Sequence, residues 1–370
     1  MDDRPAPHPP HDEAGAGSSS EARWPAAILI AILVLLVVYT LYFARDVLVP
    51  IVIAVLLKQL LSPLVVRMKR LRIPEPLAAA GIMLTLVAGL IAGGYAISGP
   101  AAEWIARAPQ GMAEIERKLT ALRGSVEEVQ KATERVEELA KAAAPAGDTL
   151  TVTVRETTLG EYFVINTTFL VTQIVIVFVL LFFLLASGDL FMRRFVKAFS
   201  RGQEKRRAVE IVRGVQQDVA TYLGTVTLIN AGLGMAVAVV MWAVGMPNPV
   251  LWGALAALMN FIPYVGALAM VVILTIAALL SFDDVAQALL VPGLFFLLTN
   301  IEANLITPSV LGRRLTLNPA IVFVSLVTWS WLWGVAGAIL AVPILVAIKA
   351  VAENVEALSG ISVFLGRRDA

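Results

Sequence analysis

Residues 260–266 read NFIPYVG, and they interrupt an apolar run that extends from Val250 to Ser281. As one straight helix that run would be about 50 Å long at about 1.5 Å per residue, against a hydrocarbon core of about 30 Å. Proline removes a backbone donor and clashes with the carbonyl four residues earlier, and glycine permits the tight path that follows. Carbonyls freed in this way are tolerated at membrane depth only where protein buries them or a wet cavity lines them. The stretch therefore decides between a row of simple spans and a bundle whose helices are interrupted for a purpose.

The rest of the chain supports that setting. Of 370 residues, 58% are hydrophobic and 15% charged, with a mean hydropathy of +0.81, far from the averages of water-soluble domains. AAILIAILVLLVVYTLYF (26–43) is apolar on every side, so a soluble amphipathic packing is excluded. The fold class is an all-α polytopic membrane protein. A net charge of +1 points to no nucleic-acid partner, and the absence of cysteine excludes disulfide and thiolate chemistry. Both histidines, His8 and His11, lie in the first 23 residues, which rules out an HExxH metal site or a Ser/His intramembrane protease. There is no GxxxxGK[ST] phosphate loop. The chain is expected to be no enzyme, to carry no cofactor and no metal, and to serve passage across the bilayer.

Organisation follows from the apolar runs and the charges between them. Residues 1–23 are rich in Pro, Ser, Gly and Ala and are expected to be a disordered cytoplasmic tail. Three spans follow in 24–98, with a fourth in 162–187. RMKRLR (67–72) and RRFVKAFSRGQEKRRAVEIVR (193–213) carry a large excess of Lys and Arg, and short loops of that kind stay cytoplasmic. A basic cytoplasmic segment is thus assigned to 188–218, and residues 99–161 fall outside. In that outer segment Met112, Ile115, Leu119, Leu122, Val126, Val129, Thr133, Val136, Ala140 and Ala143 follow at alternating steps of three and four, the heptad seam of a long helix. TLTVTVR (149–155) alternates with period two and suggests a short strand. Residues 219–352 form the candidate transport core and 353–370 a C-terminal tail. If 249–281 crosses once as a broken helix, the total is about eight spans, the reading preferred here. If it is a re-entrant hairpin, the later segments invert and Arg313 and Arg314 become cytoplasmic.

NFIPYVG has a partner. NLITPSVLG (304–312) repeats the order Asn, apolar, Ile, Pro, Val, Gly with two insertions, and each copy follows a short apolar segment. Short Pro/Gly-interrupted segments in corresponding places point to broken helices around a transporter's binding site. The candidate substrate or ion path is Asn260, Pro263, Gly266, Asn300, Glu302, Asn304, Pro308 and Gly312, with both interruptions expected to be non-helical and to face the interior. Asn260 and Asn304 can satisfy freed backbone groups or bind a solute. Glu302 is the one carboxylate near either interruption, and an intramembrane charge usually faces a cavity or a partner. Lys58, in AVLLKQLLSPL, is read as snorkelling toward the headgroups. PNPVLWG (247–253) and LNPAIVF (317–323) each place an Asn N-cap before a first-turn proline, so helices are expected to start at Pro249 and Pro319.

NPVLWGALAALMNFIPYVGALAM (248–270) and NLITPSVLGRRLTLNPAIVFVSLVTWSWLWGVAGAILAVPILVAIK (304–349) resemble the autoinducer-2 exporter family of bacterial inner-membrane transporters, also described as PerM-like permeases. The resemblance implies a multi-span, homo-oligomeric transporter with both termini in the cytoplasm. Members are linked to export of autoinducer-2, others to sodium or lithium/proton antiport. A secondary transporter or facilitator for a small polar solute is the leading expectation, and a cation/proton antiporter is its alternative. A non-transporting membrane scaffold, binding partners through the outer helix, is the reading from a different class.

Overall fold

The computed structural model describes residues 23–134, 159–188, 202–311 and 317–355, and its ordered elements are helices. The chain opens with α1 (Arg23–Phe43), α2 (Arg45–Arg70), α3 (Glu75–Glu134), α4 (Leu159–Ala186) and α5 (Gly202–Val244). Two of these, α3 and α5, run well past the apolar stretches in them. α3 runs from the third apolar stretch on to Glu134 without a break, and α5 begins inside the basic segment and continues through the apolar run that follows. The heptad seam therefore lies on a helix as far as Glu134, while the rest of it and the suggested strand at 149–155 lie outside the described residues, as does the tail over residues 1–22.

Six stretches are long and apolar enough to cross a membrane, and three shorter apolar helices accompany them among the described residues. Ile30, Leu35, Phe43, Tyr95, Leu228 and Trp242 are exposed, an exterior that suits lipid and would drive association in water. Burial against lipid gains little from the hydrophobic effect, so close packing must hold the bundle together. α2, α3 and α4 join through Ala54, Leu61, Ala78, Ala79, Val177, Leu181 and Leu185. A second cluster unites α5 with the C-terminal half through Val237, Met241, Trp252, Met270, Leu274, Val291 and Phe295.

The C-terminal half is where the expectation of a single broken crossing fails. After α5 come α6 (Pro249–Met259), α7 (Val265–Ser281) and α8 (Val285–Ile301). Gln287 Nε2 lies 3.5 Å from Val244 O, so the chain that left the end of α5 has returned to it by the start of α8. Residues 249–281 are a re-entrant hairpin whose tip is NFIPYVG. A crossing would separate those two ends by the thickness of the bilayer. The reason is in the neighbour: α5 offers α6 a groove. A Cβ on Gly234 would fall 2.6 Å from Gly253 O, with Ala238 and Ala257 one turn on, so the two backbones touch over a stripe of small residues. That contact holds the short descending arm beside α5, and α7 climbs back. Gly266 closes the turn, since a Cβ there would overlap Met259 O.

A second reversal was not anticipated. After the short α9 (Thr307–Leu311), the helix that runs from Pro319 to Asn354, α10, carries Gly334 at φ 61°, ψ −141°, a conformation open essentially to glycine alone. Ser325 Oγ donates to Ala341 O at 3.0 Å across sixteen residues, which a straight helix would set about 24 Å apart. α10 is thus a hairpin with arms 319–333 and 335–354. Its ends pack beside Val215 and Leu223 near the start of α5, while the indole of Trp333 at its tip donates to Leu41 O at 3.0 Å at the far end of α1. The two hairpins enter the bundle from opposite ends, and they meet where Ile262 of the first packs against Leu326, Trp329, Ala338 and Ala341 of the second.

Candidate solute path at two helix interruptions

The first interruption is built by short-range bonds. Phe261 N donates to Leu258 O at 3.3 Å and Ile262 N to Met259 O at 2.9 Å, so the last turn of α6 tightens and satisfies carbonyls that proline would have left free. Val265 N then donates to Pro263 O at 2.6 Å across Tyr264, whose φ of 61° and ψ of −54° make a γ-turn. Positive φ is costly for a tyrosine and persists only where its surroundings impose it. One of those constraints is Asn260, whose Nδ2 donates to Asn230 Oδ1 at 2.9 Å. Asn230 sits on α5 with 2% exposure, and its Nδ2 has no partner among the described residues. An amide buried in an apolar helix with an unused donor faces the hairpin tip. Asn260 and Pro263 are half-buried and Gly266 is buried, in keeping with an interior turn.

The second interruption is different from what its sequence suggested. At Pro308 the chain stays helical: α8 passes into a π-helical turn, Glu302–Ile306, and then into α9 (Thr307–Leu311). The cap N–H of Thr307 reaches Glu302 O, a five-residue bond. Widening the helix by one residue moves the carbonyl that Pro308 would strike, so the ring is absorbed without a break. Side chains add bonds along the same stretch: Asn300 Nδ2 donates to Phe296 O at 2.8 Å, Asn304 Nδ2 to Asn300 O at 3.0 Å, and Ser309 Oγ to Leu305 O at 2.5 Å. Asn304 and Pro308 are exposed on the single chain rather than turned inward, which corrects the second half of the expected pair. Glu302 is the inward-turned residue, 9% exposed, and its carboxylate accepts a hydrogen bond from the Thr307 hydroxyl. The π register is what puts those two residues on one face. Gly312 lies outside the described residues, as do Arg313 and Arg314.

The structure does not join the two sets of residues through a common hydrogen bond. Both flank α5, the first through Asn230 and the second through the packing of the π turn and α9 on that helix. Asn230 was missed by sequence reasoning, although an amide inside TLINAGLGMAVAVV was a visible signal. Lys349 was missed as well. It is 7% exposed on the second arm of α10 and lies 3.6 Å from Glu353. Helices start at Pro249 and Pro319 as expected, yet only Asn318 caps with its side chain, to Ala320 N at 3.0 Å. Asn248 instead adopts a left-handed conformation, φ 55°, and Trp252 Nε1 donates to the preceding Pro247 O at 2.8 Å. Among the described residues no group of His, Cys, Asp and Glu is placed to hold a metal.

Many apolar helices, hairpins from both ends and buried polar groups at their interruptions define a multi-pass membrane transporter. The family model described as AI-2E family transporter matches residues 29–357, and the chain belongs to that family. It is 28% identical over 324 residues to the AI-2 transport protein TqsA of Escherichia coli strain K12, covering 87% of this chain and 90% of that protein. Two further relatives carry the name "Putative transport protein". The one from Mycobacterium tuberculosis strain CDC 1551 / Oshkosh, MT0215, is 29% identical over 326 residues and 86% of each chain. The one from Borreliella burgdorferi is 30% identical over 198 residues, 53% of this chain and 54% of that protein.

Proposed function

We propose that this chain exports a small polar solute of the autoinducer-2 kind across the bacterial inner membrane, as a secondary transporter and not as an enzyme. The observation that carries the reading is the Asn230–Asn260 pair at the tip of the first hairpin, where Asn230 Oδ1 accepts from Asn260 and the buried Nδ2 of Asn230 is left unused among the described residues. A donor placed there suits the hydroxyl and carbonyl oxygens of a hydroxylated solute. The likeness to TqsA supports the same solute class. Movement of the tip against α5 and the second hairpin would expose the pair to alternate sides. The exposed amide of Asn304 supports a homo-oligomer, because a second copy would cover it from lipid.

Proton coupling through Glu302 is part of this reading. Its support is a carboxylate turned inward beside Thr307 with no ion-pair partner among the described residues. Reconstituted vesicles offered furanone-type signals, sodium and protons test the whole. Solute flux that Glu302→Gln leaves intact but strips of its pH dependence is the expected result, since glutamine keeps the shape and cannot titrate. Vesicles impermeable to every probe would assign the chain to a scaffold, and sodium-for-proton exchange without solute flux would assign it to antiport.

A further inference from the structure

The cleft at the basic end of the bundle has no part in the solute path. Its volume is about 660 Å³, and it opens between the end of α2, the start of α3, the end of α4 and the start of α5. Five basic side chains line it, Lys58, Arg67, Lys69, Arg70 and Arg213, against one acid, Glu75. Lys69 pairs with Glu75, which neutralises both. The other four have no ion-pair partner among the described residues. Gathering four like charges around one cavity is unfavourable unless an anion relieves it.

The lining specifies which anion. Three guanidinium groups present planar forks that match phosphate oxygens two at a time, and a lysine adds a point charge. The amides of Gln59, Gln216 and Gln217 supply further donors, while Val65, Val66 and Leu185 form an apolar wall. Lys58 is the informative member. It is half-buried within an apolar stretch of α2, nine residues or about 13 Å before Arg67, so the basic lining descends into the bundle instead of fringing its rim. Simple snorkelling at a membrane surface needs no amides and no such depth.

We propose that this cleft binds a phosphate-bearing anion, with Lys58, Arg67, Arg70 and Arg213 as its charged contacts. A phospholipid headgroup and a soluble phosphate present the same chemistry, and the apolar wall accommodates the first. The site is independent of the solute reading, because its readout is stability of the full chain and not flux.

The thermal midpoint of the full-length chain in neutral detergent tests it with two probes. One is dioleoylphosphatidylglycerol against dioleoylphosphatidylcholine, the other inorganic phosphate against chloride at equal ionic strength. The expected result is a saturable rise with at least one anionic probe, with apparent affinity about tenfold weaker in Arg67→Gln/Arg213→Gln. Arg45→Gln, a charge removed at the far end of α2 where Arg45 lies 3.8 Å from Asp46, leaves the rise unchanged. A response to the lipid alone assigns the headgroup, and a response to phosphate alone assigns a soluble ligand. No rise with either probe, a rise kept in the double variant, or an equal loss in Arg45→Gln overturns the proposal. Should the double variant fail to purify, Lys58→Gln is read in the same way.

Discussion

The two interruptions share an order of residues and differ in what they do to the chain. At Pro263 the backbone turns through a positive-φ tyrosine and goes back the way it came. At Pro308 it widens by one residue and carries on as a helix. Proline supplies the same defect in both places, a missing donor and a clash with the carbonyl four residues earlier. What differs is the partner on α5. The first tip has a glycine stripe to lie against and an amide, Asn230, to hold it. The second stays within its own helix, where Asn304 and Ser309 bond back to carbonyls one turn earlier and Thr307 bonds to the Glu302 carboxylate. A proline in a membrane helix makes a defect, and the neighbouring helix decides whether the defect becomes a reversal.

The most decisive way to break this comparison is topological. In this cysteine-free chain, single cysteines at Pro247 and Asp283 should label from the same side of the membrane, because the first hairpin returns to its starting end. Labelling from opposite sides would restore the single crossing. Next in size is Gly266→Ala, whose new methyl has only the Met259 carbonyl to meet; we expect a loss of about 3 kcal/mol and poor recovery of monodisperse protein. Gly293→Ala, with open space around it on α8, should behave as the parent in the same chromatography. Asn230→Leu removes the latch and leaves the Asn260 amide unpaired, a cost of about 1 to 2 kcal/mol visible in the thermal midpoint. The same variant should lower solute flux, and normal flux would dissociate the pair from transport. Smallest is Pro308→Ala, expected to lie within about 1 kcal/mol of the parent, because the π turn already accommodates the ring. Relaxation to an α register would carry Thr307 away from Glu302, so its signature is an altered pH dependence of flux at nearly unchanged stability.

The sequence disclosed a good deal of this and concealed the rest for definable reasons. The spans around Leu35, Leu57, Val177 and Val237 were legible because twenty apolar residues have few other uses. The break at NFIPYVG was legible because proline and glycine act on their own backbone. Whether that break becomes a hairpin was not, since the answer lies in Gly234 and Asn230, thirty or so residues upstream, and local chemistry cannot report a partner. NLITPSVLG misled for the converse reason: its proline was read as a break, although the helix absorbs it by widening into the π turn Glu302–Ile306. The reversal at Gly334 was hidden inside WLWGVAGAILAVP, where a lone glycine among large apolar residues is a weak sign of a turn. Of the candidate site residues, Asn260 and Glu302 drew attention by polarity in an apolar setting, and Asn230 satisfied the same criterion without a proline nearby to draw attention to it.

The hydrogen bond from Asn260 to Asn230 also sets an order of events during synthesis. The two residues are thirty positions apart, and the acceptor comes first. When the short arm of α6 leaves the ribosome, too brief to cross a bilayer alone at about 16 Å, α5 is already made and its glycine groove already open. The hairpin can therefore slide from the insertion machinery directly onto a finished partner, without a period in which its tip lies bare in lipid. A chain permuted so that α6 and α7 preceded α5 would keep every contact of the final bundle and lose that shelter.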